Sequence, residues 1–133
     1  MRRTAAAVSG ALGAALVALV AATSFHAPGV LAKMAATVDE ISGGRLILGL
    51  GAGWNEDEYA AFGFAYDHRV SRFEEAFTII RTLLREGHID FEGEYYTLRD
   101  CELLPRGPRL EGPPLLVGSN GPRMLRITVP YVD

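Results

Sequence analysis

Three glycines at alternate positions, Gly49, Gly51 and Gly53, close a short apolar run from Leu46 to Leu50. They constrain this backbone more than any other feature of the chain. A strand end that turns sharply and lets a ligand approach the main chain needs residues without a Cβ, and alternate glycines supply them. The spacing differs from the dinucleotide fingerprint, because the third glycine falls too early and no helix starts directly behind it. Trp54 and the acidic cluster Glu56-Asp57-Glu58 follow instead.

The flanking residues organise into an α/β pattern. Pro28 suits a helix start, where its missing N–H costs nothing. Val30, Leu31, Met34, Ala35, Val38 and Ile41 then fall on one helical face, and Gly43-Gly44 stops the helix. A strand over 45–50 follows, then a loop from Trp54 to His68 with a helical turn around Asp57 to Ala61. Phe73, Ala76, Phe77, Ile80, Leu83 and Leu84 repeat at helical spacing and predict an amphipathic helix over 71–86. Ser71 is its candidate cap, with Glu74 completing a capping box. Residues 89–98 alternate as a strand pair does, turning at Gly93. Arg99 to Pro113, with prolines at 105, 108 and 113, reads as loop. Pro114 to Gly118 is a further buried strand, and Ser119-Asn120-Gly121-Pro122 leads into a helix near Arg123. Gly118 to Gly121 in front of that helix is a candidate anion site, because free N–H groups and the positive dipole end face the ligand.

Composition places these elements in an ordinary globular α/β unit, at 49% hydrophobic and 22% charged residues. A net charge of -3 gives no footprint for nucleic acid or an anionic membrane. Cys101, the single cysteine, makes no intrachain disulfide and no metal spacing. His68 and His88 lack partners at useful spacing, and His26 reads equally as a surface residue or a substrate contact.

Several of these segments, taken in order, resemble the bacterial luciferase-like family of flavin- and deazaflavin-dependent oxidoreductases. The segments are Pro28 with Ser42-Gly43-Gly44-Arg45, Gly49 to Trp54 with Glu58-Tyr59, Arg69 with Arg72-Phe73-Glu74-Glu75, Phe91 to Tyr96, and Pro113 to Gly118. The resemblance covers roughly residues 17 to 133. It implies a (β/α)8 barrel, a fold of about 250 residues or more. A chain of 133 residues is therefore expected to show a partial barrel of about three parallel strands with outer helices. Domain organisation is expected as an N-terminal apolar segment over 1–16 and the partial barrel over 17–133.

The resemblance also implies a cofactor, FMN or coenzyme F420, held by Glu58, Tyr59, Arg72, Gly118, Ser119 and Gly121, with Gly49, Gly51 and Gly53 running beside it. It assigns no catalytic residue. Trp54 and the Phe91–Tyr96 stretch lean towards the deazaflavin type. The implied partner is a small organic substrate, without nucleic acid or membrane, and the open sheet edges of a partial barrel leave a homo-oligomer or an inactive binding module as alternatives. Without the resemblance, Arg72 reads as a solvated helix residue paired with Glu75 or Glu86, and Trp54 as core or rim.

The first 25 residues carry two readings. Arg2-Arg3 followed by the apolar run Ala5 to Ala22 fits a secretory signal, which implies export. The resemblance instead puts a core barrel strand at Val17 to Thr23, which implies a cytoplasmic enzyme. Buried parallel strands also read as continuous apolar runs. Relatives tend to carry a non-prolyl cis peptide in this strand, where this chain has Ala18-Leu19-Val20.

Overall fold

The computed structural model describes residues 16–119 and 121–133. Three strands, β1 (Leu16–Ala22), β2 (Leu46–Gly51) and β5 (Leu115–Val117), form a parallel sheet in the order β1-β2-β5. Helix α1 (Pro28–Ser42) connects β1 to β2. Between β2 and β5 come α2 (Glu56–Phe62), α3 (Arg69–Glu86) and an antiparallel ribbon of β3 (His88–Glu92) and β4 (Thr97–Glu102), and α4 (Pro122–Thr128) follows β5. Strand, crossover helix and adjacent parallel strand is the barrel repeat, so the described part is a partial (β/α)8 barrel.

The second half of the apolar N-terminal run is a sheet strand, as the barrel reading requires. Residues 1–15, which carry the rest of the signal reading and most of the segment 1–16, lie outside the described residues. The β1–β2 register shifts between Ala18 and Ala21, and the Leu19–Val20 peptide is cis, in the strand where the resemblance implies such a bond. Gly49 is explained by this neighbour: a Cβ there would coincide with the carbonyl oxygen of Ala18. The Leu104–Pro105 bond is also cis.

The core lies between the outer face of the sheet and the helices. Leu46, Leu48, Leu50 and Leu115 meet Phe73, Phe77, Ile80 and Leu84 of α3 and Leu31, Ala32, Ala35 and Ala36 of α1. Helix α1 thus differs from its expected face. Val30, Met34, Val38 and Ile41 are exposed, and the buried stripe is Leu31, Ala32, Ala35, Ala36, Asp39 and Ser42. Alanines bring the α1 backbone close to its neighbours, and the larger side chains are left on the outward side.

Helix starts and stops follow local chemistry. Gly43, at φ 68°, closes α1 and Gly87, at φ 82°, closes α3. Asn55 caps α2, its side chain accepting from the Asp57 N–H at 3.3 Å. Helix α3 starts earlier than expected, at Arg69 after His68 in the left-handed region at φ 52°. Ser71 therefore lies inside the helix. Strand β4 corrects the loop reading of its segment, since Arg99 to Glu102 continue the ribbon.

Two carboxylates clamp distant segments together. Asp39, 1% exposed, accepts from Arg109 Nε at 3.0 Å and from the Leu46 N–H at 3.2 Å, while Arg109 Nη2 also reaches Leu46 O at 2.7 Å. The loop before β5 is thereby tied to α1 and β2. Glu75 accepts the N–H groups of Glu94, Tyr95 and Tyr96 at 2.7, 2.9 and 3.1 Å. A Cβ on Gly93 would lie 2.5 Å from the Glu75 carboxyl, so glycine lets the turn close over it.

Candidate functional site

At the C-terminal end of the sheet, β1, β2 and β5 open into a cleft of about 520 Å³, lined among others by Val20, Gly51, Gly53, Trp54, Glu58, Arg69, Gly118, Ser119 and Gly121. Ligands of barrel folds bind at this end of the strands, where the strand-to-helix loops meet. Other cavities reach similar volume on the outer surface, one of them a largely apolar groove along Val30, Met34 and Val38. The cleft is distinguished by its place at the strand ends and by the glycines along its lining.

Glycine lets the Val20 side chain settle against its floor. A Cβ on Gly51 would lie 3.0 Å from Val20 and one on Gly118 3.3 Å from Val20, whereas one on Gly121 would project into open space. The wall at Gly51 to Gly53 is fixed from behind. Ser24 Oγ donates to Ala52 O at 3.2 Å, and the Tyr59 hydroxyl donates to the same carbonyl. Gly53, at φ 78°, is required for its backbone and for space, because a Cβ there would meet the Tyr59 hydroxyl at 2.7 Å.

Tyr59 belongs to an aromatic cluster beneath that turn. Phe25 packs on its ring at 4.8 Å between centroids and on Phe64 at 5.2 Å, and Tyr66 meets Tyr59 edge-on at 5.1 Å. The Tyr66 hydroxyl donates to Trp54 O at 3.4 Å, and it receives a hydrogen bond from Arg69 Nη1. The Arg69 guanidinium lies 4.7 Å from the Tyr66 ring centre. Arg69 and Glu58 therefore reach the cleft as opposite charges that make no ion pair with each other, and Trp54, 80% exposed, stands at its rim.

Of the sequence-derived candidates, Gly51, Gly53, Glu58, Gly118, Ser119 and Gly121 come together in this cleft. Gly49, Tyr59 and Arg72 do not line it. Gly49 sits under the Ala18 carbonyl and Tyr59 is buried behind the turn. Arg72 is bound to Asp67, at 3.1 Å from its carbonyl and 3.3 Å from its carboxylate, and lies over the Tyr95 ring at 4.5 Å. Its ion-pair partner is thus Asp67 rather than Glu75 or Glu86. Beside it, burial pushes the Tyr96 hydroxyl above its ordinary range against the opposing pull of Arg72, so this phenol stays a proton donor at neutral pH.

Gly118 and Gly121 also depart from the expected anion cradle. The Gly118 N–H is used by Leu50 O at 2.9 Å, the Gly121 N–H by Ser119 Oγ at 3.3 Å, and Pro122 opens the helix without an N–H. Positive charge in the cleft comes from Arg69. Sequence reasoning named Arg69 only as part of a motif; its spacing of three from Arg72 puts the two on neighbouring positions of α3, and only the fold separates their surroundings. Among the described residues no His, Cys, Asp and Glu group is arranged to hold a metal, and no helix is long and apolar enough to cross a membrane.

Comparison with known proteins agrees with this geometry. The chain is 40% identical over 91 residues to pyrimidine monooxygenase RutA of Klebsiella pneumoniae, covering 65% of this chain and 25% of that protein. It is 32% identical over 111 residues to the enzyme of the same name from Caulobacter segnis, covering 80% and 31%. The chain thus spans between a quarter and a third of the length of these relatives. Among solved structures, monooxygenase RslO1 from Streptomyces bottropensis superposes with a TM-score of 0.72 at 33% identity, over 77% of this chain and 31% of that one. An F420-dependent secondary alcohol dehydrogenase shares the fold at a TM-score of 0.76 and 24% identity, over 96% and 41%. The model of the luciferase-like monooxygenase family matches residues 12–133, nearly the whole chain. The chain belongs to the luciferase-like monooxygenase family.

Proposed function

We propose that this chain supplies the cofactor-binding wall of a flavin- or deazaflavin-dependent oxidoreductase acting on a small organic substrate, with FMN or coenzyme F420 in the cleft. The observation that carries this reading is the cleft itself: glycines at the C-terminal end of the sheet, with the Arg69 guanidinium held by Tyr66, the Glu58 carboxylate and an exposed indole among its lining residues. The relatives above 30% identity are named monooxygenases, which supports the oxygenating branch.

The residues present fit such a cofactor. A planar ring requires a surface without projecting groups; Val20 packs flat over Gly51 and Gly118 as an apolar one, and the space beside Gly121 is open. Arg69 is the group suited to a phosphate, since a guanidinium pairs with phosphate oxygens in a fork and Tyr66 holds it in place. Glu58, a carboxylate, would repel phosphate and instead accept from hydroxyl groups of a ribityl chain. Ser119 offers a hydroxyl on the same side. The bound cofactor supplies the redox chemistry. The chain's own part is to orient it, to hold its charge, and to exclude water through Val20 and the rigid turn from Gly51 to Gly53. Tyr59, Ser24 and Gly49 act behind this surface by fixing the backbone.

Trp54 is the single tryptophan of the chain, so its fluorescence reports from the cleft. Titration with FMN and, separately, with coenzyme F420 should quench Trp54 saturably with at least one of them, and the tighter of the two identifies the branch. Absence of saturable quenching by either would overturn the reading.

A further inference from the structure

Apart from the cleft, a groove of about 530 Å³ runs between α3 and α4 on the outer surface. Three arginines line it, Arg81, Arg123 and Arg126, against one carboxylate, Glu74. A concentration of positive charge on a chain of net charge -3 is opposed by mutual repulsion unless an anion relieves it.

The three arginines are unequally satisfied. Arg123 is paired with Glu74 at 3.0 Å and bound to Ser71 at 3.0 Å. Arg81 lies 3.9 Å from the Tyr131 ring centre, which sets the plane of its guanidinium, yet its Nε is buried with no hydrogen-bond partner. Buried donors are nearly always satisfied, so an orphan marks a group that a ligand can relieve. Arg126 makes no hydrogen bond or ion pair among the described residues. Arg123 and Arg126, three positions apart on α4, share one side of that helix. Thr78 adds a hydroxyl, and Tyr131 an aromatic wall, to the same groove.

We propose that this groove binds a phosphate-bearing small molecule through Arg81 and Arg126, with Arg123 as the neutralised third member. Two guanidiniums without carboxylate partners suit the several acceptor oxygens of a phosphate or pyrophosphate group, and planar forks match that geometry better than point charges do. The size of the groove falls in the range of small-molecule sites, about 300–1,000 Å³. This site is independent of the cofactor reading, because none of its residues lines the cleft at the sheet end.

The test is isothermal titration of the full chain with inorganic pyrophosphate at low ionic strength. Wild type should bind one pyrophosphate saturably. Arg126→Gln and Arg81→Gln should each weaken binding about tenfold, the value of one charged contact, while Arg99→Gln, on the exposed ribbon, should change it less than twofold. Denaturation midpoints establish that each variant is folded. If Arg81→Gln fails to fold, Arg126→Gln carries the test, since that side chain holds no structural partner. The proposal is overturned by absence of saturable binding or by equal affinity of wild type and Arg126→Gln. It is also overturned by an equal loss in Arg99→Gln, by citrate binding as tightly as pyrophosphate, or by loss in Arg69→Ala alone, which would place the anion in the cleft.

Discussion

The clamped belt of the molecule and its open cleft are built from opposite materials. In the belt, charged side chains are fully committed: Asp39 holds Arg109 and the Leu46 N–H, and Glu75 holds three N–H groups of the ribbon turn. In the cleft, Arg69 and Glu58 line the opening without pairing to each other, and the floor is glycine backbone under the single side chain of Val20. Charge is spent where position must be fixed and left available where a ligand is to be met. Several motifs that mark the family turn out to serve the first purpose. Glu75, Gly93, Tyr59 and Gly49 hold the scaffold, and only part of each motif reaches the cleft.

Substitutions break or sharpen this contrast. The largest effect should come from Asp39→Ala, which strands Arg109 and the Leu46 N–H. A loss of about 3–4 kcal/mol is expected, the lower part of the range for breaking a buried pair because the Arg109 side chain is 31% exposed. Urea unfolding measures it. Gly49→Ala drives a methyl into the Ala18 carbonyl and should cost about 2–3 kcal/mol, as overpacking does, again read from the urea midpoint. Glu75→Ala removes the acceptor of the ribbon turn. About 1.5–2 kcal/mol should be lost, given hydrogen bonds to a charged group that is partly solvated, and amide exchange at 94–96 should accelerate. Gly121→Ala should sit at the other extreme. With φ at -90° and no atom within 4 Å of the added Cβ, stability should stay within about 0.5 kcal/mol, while FMN affinity falls because the methyl enters the cleft. A large stability loss there would dissolve the distinction between belt and cleft.

Much of the fold was legible because it is written locally. The apolar run 46–50, the proline and glycine ends of α1, and the 3-4 spacing of Phe73 to Leu84 each declare an element without reference to the rest. The α1 face was misread because size was taken as the sign of burial. Val30 and Ile41 are larger than Ala32 and Ala36, but only alanine lets the helix approach. Strand β4 was missed at Arg99–Glu102 because both faces of the ribbon are largely exposed, which removes the alternation that reveals a strand. The Asp39–Arg109 pair, separated by 70 residues, has no local signal at all. In the cleft, Gly51 and Gly53 could be placed from the turn, whereas Glu58 rested on the resemblance. The choice between Arg69 and Arg72 could not, because it depends on Tyr66 and Asp67 occupying different sides of the start of α3.

That choice is the most direct test of the account. FMN, or coenzyme F420 if it binds more tightly, should be titrated by Trp54 quenching into wild type, Arg69→Ala and Arg72→Ala, each checked for an intact unfolding midpoint. Arg69→Ala should weaken binding by about 1.5–3 kcal/mol, the range for a charged hydrogen bond, while Arg72→Ala should change it by less than about 0.5 kcal/mol. Unchanged affinity in Arg69→Ala, with the loss appearing in Arg72→Ala instead, would contradict it.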